Sequence, residues 1–196
     1  MSQTKGSSMR SLSALVLAAL LCACAETPQK PDLAVTPAPR SSWIVGADGR
    51  AIGQASFLEG PNGVLIRLEF SEHALTPGWH GAHLHMKGDC TDAAAGFQAS
   101  GGHIGMGPHI QHGLMNAAGP EAGDLPNIFA PPEGLFAAEI FAPRVILGPS
   151  AVNHREPLLD ADGSALIVHA GPDDQRSQPI GGAGPRVACA ALTTLP

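Results

Sequence analysis

Between Val64 and Ser71 apolar and polar residues change places at almost every step. Val64, Ile66, Leu68 and Phe70 form one set, and Leu65, Arg67, Glu69 and Ser71 form the other. A period of two cannot make one face of a helix; it makes a strand with one side against a core and most of the other in water. Residues 51–58 form a second strand just before it. Between the two lies Gly60-Pro61-Asn62-Gly63, a turn whose Asn-Gly pair accepts positive φ. Ala47-Asp48-Gly49 is a similar turn one strand earlier, and the short apolar runs 135–141, 145–147, 164–169 and 187–192 are each bounded by Gly, Pro or Asp. With 24 Gly and 18 Pro among 196 residues, a coiled coil or helix bundle is excluded. The pattern predicts one antiparallel sandwich or flattened barrel. From Cys90 to Gly134 it vanishes for more than 40 residues, a length at which a loop is functional or disordered.

The first residues read as an address. Lys5 and Arg10 precede the apolar run 12–21, which ends in Leu21-Cys22-Ala23-Cys24. This is the layout of a secretory signal over residues 1–23, too short to span a bilayer permanently. Leu-x-Ala-Cys resembles a lipobox, which makes Cys24 the acylated first residue of the mature chain and the membrane its partner. Cys22 inside the box leaves open cleavage by the ordinary signal peptidase within Ala23-Cys24-Ala25. Residues 24–40 hold four Pro and few large apolar groups, the composition of an extended tether, so the folded domain is expected over residues 41–196. The net charge of -6 excludes a nucleic-acid binder held by phosphate neutralisation.

Nine His stand beside no Tyr, and six of them fall between His80 and His112. His83 and His85 are two apart, which on a strand puts both rings on one face, about 7 Å apart along the chain. His103, His109 and His112 lie in the long patternless stretch, and His169 ends the apolar strand SALIVH. A nitrogen-rich cluster of this kind suits copper and zinc rather than calcium or magnesium. His73 and His154 stand apart and are expected to face solvent.

Five segments occur in order: HGAHLHMKGDC, SGGH, GDLPN, IVHAGPDD and QPIGGAGPRVAC. Together they resemble the copper-zinc superoxide dismutases in their bacterial secreted form, over nearly the whole domain. The resemblance implies an all-β, eight-stranded Greek-key barrel of the immunoglobulin-like sandwich kind, with long metal-binding loops. It implies copper on His83, His85, His103 and His169, with His103 shared with zinc. Zinc would take His103, His112, Glu121 and Asp124. Glu121 stands where the family has His; a carboxylate binds zinc, but its extra charge points to a weakened site, and His109 is a spare imidazole beside it. Asp173 is implied as the carboxylate that fixes the tautomers of the ligating His, and His80 as a non-ligand His beside the copper pair. Arg186 would hold a small anion over the copper. Cys90 and Cys189 match the disulfide positions of the family.

The activity so implied is dismutation of superoxide to oxygen and hydrogen peroxide in the bacterial periplasm, protecting the envelope, on a protein lipid-anchored through Cys24. Arg186 and His103 are the expected catalytic residues and superoxide the substrate. A copper carrier on the same barrel is the competing reading, and it would need the ligands without Arg186. No run of residues separates a subunit interface from the remaining surface, so a homodimer stays open.

Overall fold

The computed structural model describes residues 39–193; the signal segment, Cys24 and most of the Pro-rich tether lie outside them. Strands β1 (Arg40–Gly46), β2 (Ala51–Gly60) and β3 (Gly63–Phe70) form a meander. They are followed by β4 (Gly78–His80) and β5 (Ala82–His85), separated only by Gly81. After the long stretch come β6 (Ile128–Ala130), β7 (Phe136–Ala142), β8 (Val145–Ile146), β9 (Glu156–Pro157), β10 (Ser164–His169) and β11 (Arg186–Leu192). Seven of these make one antiparallel sheet in the order β5-β10-β11-β1-β2-β3-β7, while β4 pairs with β6 and β8 with β9. With β4 and β5 taken as one strand interrupted at Gly81, the sheet and β6 supply the eight strands of the expected barrel. The chain leaves β3 near one edge of the sheet and re-enters at β5 on the other, the crossover of a Greek key.

The alternation in β3 is realised as read: Val64, Ile66, Leu68 and Phe70 are buried, and Arg67 and Glu69 are exposed. They pack with Ile44, Phe57, Leu84, Ile140, Leu166 and Val168 into the main core. β5 and β10 are buried at every position, because one face meets this core and the other is covered by the long loops. A second cluster of Phe97, Ala165, Ile167 and Cys189 lies under the loop that begins at Cys90. Cys90 and Cys189 are joined there as a disulfide across 99 residues, worth about 4.7 kcal/mol in the loop-entropy account. The stretch from Cys90 to Gly134 is not wholly irregular: two short 3-10 turns and β6 lie within it. Three residues of β6 are too few to show a period.

Candidate metal centre

The edge of β5 that is free of β10 is sealed by two loop segments, and this is how distant His residues meet. Leu84 N–H donates to Gly123 O at 2.8 Å, Ile104 N–H to Leu84 O at 2.9 Å, and Gly123 N–H to Ile104 O at 2.9 Å. His85 thereby faces His103 and His83 faces Asp124 as isolated bridges. Position 123 must be Gly, because a Cβ there would strike Leu84 O. On the other side of β5, β10 brings His169 to its end, where a bulge after Val168 shifts the register. His83, His85, His103, His112 and His169 are all buried.

Each ring has one nitrogen tied down. His85 Nδ1 donates to Gly101 O at 2.8 Å, His169 Nδ1 to Gly184 O at 2.8 Å, and His83 Nε2 to Asp173 Oδ2 at 2.9 Å. His103 Nδ1 lies 2.7 Å from Glu121 Oε2 and 3.2 Å from Asp124 Oδ1. These acceptors fix the tautomers, so the opposite nitrogens carry lone pairs. Those opposite nitrogens are His83 Nδ1, His85 Nε2, His103 Nε2 and His169 Nε2, and all four are buried without a hydrogen-bond partner. Leaving such an atom unpaired costs about 1–3 kcal/mol, a cost that coordination of a metal removes. Ligand atoms of His83, His85 and His103 lie within 4.8 Å of one another, and the His169 ring centroid is 4.9 Å from that of His83. Four imidazoles are the donor set of a copper or zinc ion, so the residues present fit the metal.

The neighbouring group differs in charge. His103, His112, Glu121 and Asp124 also place ligand atoms within 4.8 Å of one another, which makes His103 common to both sets. His112 Nδ1 lies 2.7 Å from Asp124 Oδ1, and Asp124 Oδ2 accepts from the backbone N–H of Gly113 and Glu121. Asp173 joins the two halves, with Oδ2 accepting from His83 and Oδ1 lying 3.2 Å from His112 Nε2. Burial pushes His85 down to about 2, helped by the charges of His103 and Arg186. Burial likewise lowers His83, and lowers His169 to about 4. In His103 and His112 burial acts in the same direction but loses to the hydrogen bonds the rings donate to carboxylates: His103 is raised by Asp124 and Glu121, and His112 is raised to about 10 by Asp124 and Asp173. Burial opposes the charge of Asp124 and Asp173, but their His partners hold both well below the ordinary range. His83, His85 and His169 are therefore kept as neutral donors, whereas His112 and the shared His103 are paired with carboxylates that favour their charged form.

His80 is not in either set. Its ring nitrogens lie 2.7 Å from His169 O and 2.7 Å from Thr76 O, so it braces the backbone of His169. His109, His73 and His154 are exposed. Arg186 is fastened more firmly than the sequence suggests: Nη1 donates to Phe97 O at 2.8 Å and Ser100 Oγ at 3.2 Å, and Nη2 to Gly101 O at 2.9 Å. That uses three of its five N–H groups. Two supports escaped sequence reasoning although both lie in or beside quoted motifs. Asn127, in GDLPN, exchanges hydrogen bonds with the backbone of Asp173 at 2.8 and 2.9 Å. Gln178 does the same for the backbone of His112 at 2.9 and 3.0 Å.

Fold and site define a Greek-key β-barrel with two buried groups of side chains that could hold metal and that share an imidazole. Residues 51–192 match the copper/zinc superoxide dismutase family model. The chain belongs to that family. It is 47% identical to the copper-zinc superoxide dismutase of Caulobacter vibrioides over 149 residues, which is 76% of this chain and 82% of that one. Against copper-zinc superoxide dismutase 2 of Aquifex aeolicus it is 36% identical, with 76% and 83% covered. Among solved structures, a SOD-like protein from Bacillus subtilis superposes with TM-score 0.70 at 30% identity, covering 79% of this chain and 99% of that one. The copper/zinc superoxide dismutase from Brucella abortus gives 0.58 at 26%, with the same coverage.

Proposed function

We propose that this protein dismutates superoxide with copper on His83, His85, His103 and His169, and that His103, His112, Glu121 and Asp124 hold zinc. The observation that carries the reading is the set of four buried imidazole nitrogens, each with its tautomer fixed and no protein partner. Bound copper supplies a one-electron couple, Cu(II)/Cu(I), so that two superoxide anions and two protons give one oxygen and one hydrogen peroxide. Arg186 draws the anion in: it is the charge that helps depress His85 and His169, and its two uncommitted N–H groups are free to hold an oxygen of the substrate. His103 Nε2 holds and returns a proton, since Glu121 and Asp124 on the far nitrogen favour the charged ring. Asp173 and the carbonyls of Gly101 and Gly184 keep the remaining rings from turning. A carrier without turnover would need Arg186 only to pin residues 97–101, not its two uncommitted N–H groups.

The disulfide suits a compartment outside the cytoplasm. The lipobox ending at Cys24 supports the periplasm with a lipid anchor, and protection of the envelope as the role. Metabolic labelling with an alkynyl fatty acid tests the anchor: wild type should label and Cys24→Ala should not, and an unlabelled wild type would contradict it. For the activity, His85→Ala should lose copper and superoxide consumption together. Full copper retention with normal turnover in that variant would refute the ligand set.

A further inference from the structure

The buried site must be filled from outside, and one surface beside it has the chemistry to do so. Soft or borderline donors recur every third residue from His103 through Met106, His109 and His112 to Met115, and Met86 directly follows His85. Met86 and Met106 are 37% and 52% exposed, although burying a Met side chain is worth about 1.5–3 kcal/mol. Both lie on the Gly101–Gly102 dipeptide. A Cβ at Gly101 would sit 3.6 Å from Met86 Sδ; one at Gly102 would sit 2.5 Å from Met106 Sδ, 3.3 Å from its Cε and 3.8 Å from Met86 Cε. A side chain at Gly102 would push the Met106 thioether out of its place. The same dipeptide is bound to the metal centre: Gly101 O accepts from His85 Nδ1, Gly102 O accepts from Met86 N–H at 3.0 Å, and His103 follows at once.

We propose that Met86 and Met106 form a thioether site that captures Cu(I) at the surface and hands it to the imidazoles of His85 and His103. Thioether sulfur is a soft ligand that selects Cu(I) over zinc, whereas the centre within offers imidazole and carboxylate. Sulfur also carries no proton near neutrality, so capture does not compete with protonation as capture by His does. The transfer is ligand exchange, in which copper stays Cu(I) and no electron moves. Met115, also exposed but on a segment whose backbone bonds to Gln175, takes no part. The proposal rests on the reading of the four His as the copper set, and its test separates the two.

The probes are Ag(I), a redox-inert stand-in, and Cu(I) supplied anaerobically from a soluble chelate, on the metal-free mature chain. In a His85→Ala background, methionine methyl resonances of Met86 and Met106 should move on adding Ag(I), that of Met115 should not, and the movement should be the same at mildly acidic and neutral pH. With His85 intact, Met86→Leu/Met106→Leu should load copper several-fold more slowly than wild type and reach the same final stoichiometry, while Met115→Leu matches wild type. Leu keeps the volume, so folding is preserved. Methyl resonances that stay put, or equal loading rates despite methyl shifts, would overturn the proposal. Wild type that loads no copper at all would instead overturn the copper set, while the Ag(I) shifts would still decide the thioether pair.

Discussion

At the scale of single residues the centre is governed by which ring nitrogen holds the proton. Carbonyls fix His85 and His169, and a carboxylate fixes His83, each with the lone pair facing inward. His112 stands at the other extreme, raised to about 10 by two carboxylates. A raised group stabilises the folded metal-free protein below its ordinary value of 6.5 and loses that contribution as pH climbs through about 10. Asp124 and Asp173 act in the opposite sense: their contribution is present above 3.8 and lost as pH falls below it. Zinc at His112 must displace that proton, so binding near neutrality should release protons and weaken as pH falls. Calorimetry of zinc binding in buffers of different ionisation enthalpy checks this; a heat independent of buffer would contradict it. Glu121→His should bind zinc more tightly in the same experiment, because imidazole nitrogen suits zinc better than a carboxylate oxygen does.

At the scale of elements, the second cluster links the disulfide to the candidate copper set. Phe97 is buried among Ala165, Ile167 and Cys189, its carbonyl accepts from Arg186, and Gly101 O four residues on orients His85. Phe97→Ala should destabilise the domain by about 3–5 kcal/mol and, by loosening that segment, weaken copper binding without touching a ligand. Denaturant unfolding with copper competition on one preparation checks both; a destabilised variant with unchanged copper affinity would show that the loop does not orient His85. Strand β3 was legible because it keeps period two over eight residues, and the His83/His85 pair because a spacing of two puts both rings on one face of a strand. The motif resemblance brought in the remaining candidate ligands. What stayed illegible was set by backbone: three-residue β6, the carbonyls that choose tautomers, and the pinning of Arg186. None of these leaves a mark in side-chain pattern.

For the whole molecule, a chain with net charge -6 must admit an anion. Screening acts over about 8 Å at physiological salt, so a local cation outweighs a diffuse negative field near the site. The wild-type superoxide rate constant should therefore fall as ionic strength rises. Arg186→Ala should be several-fold slower and less sensitive to salt, with Arg186→Lys between them. Because Arg186 also holds residues 97–101, copper content must be measured on each variant. Equal rate constants per bound copper at low and high salt would remove Arg186 from anion capture.

The central claim is that one copper per chain, on four imidazoles, carries the turnover. Its most direct measurement is superoxide decay after a radiolysis pulse while Cu(II) is titrated into the zinc-loaded, copper-free mature domain. The rate should rise in proportion to added copper and level off at one equivalent. A rate that never rises with copper bound, or rises equally in His85→Ala, would contradict it.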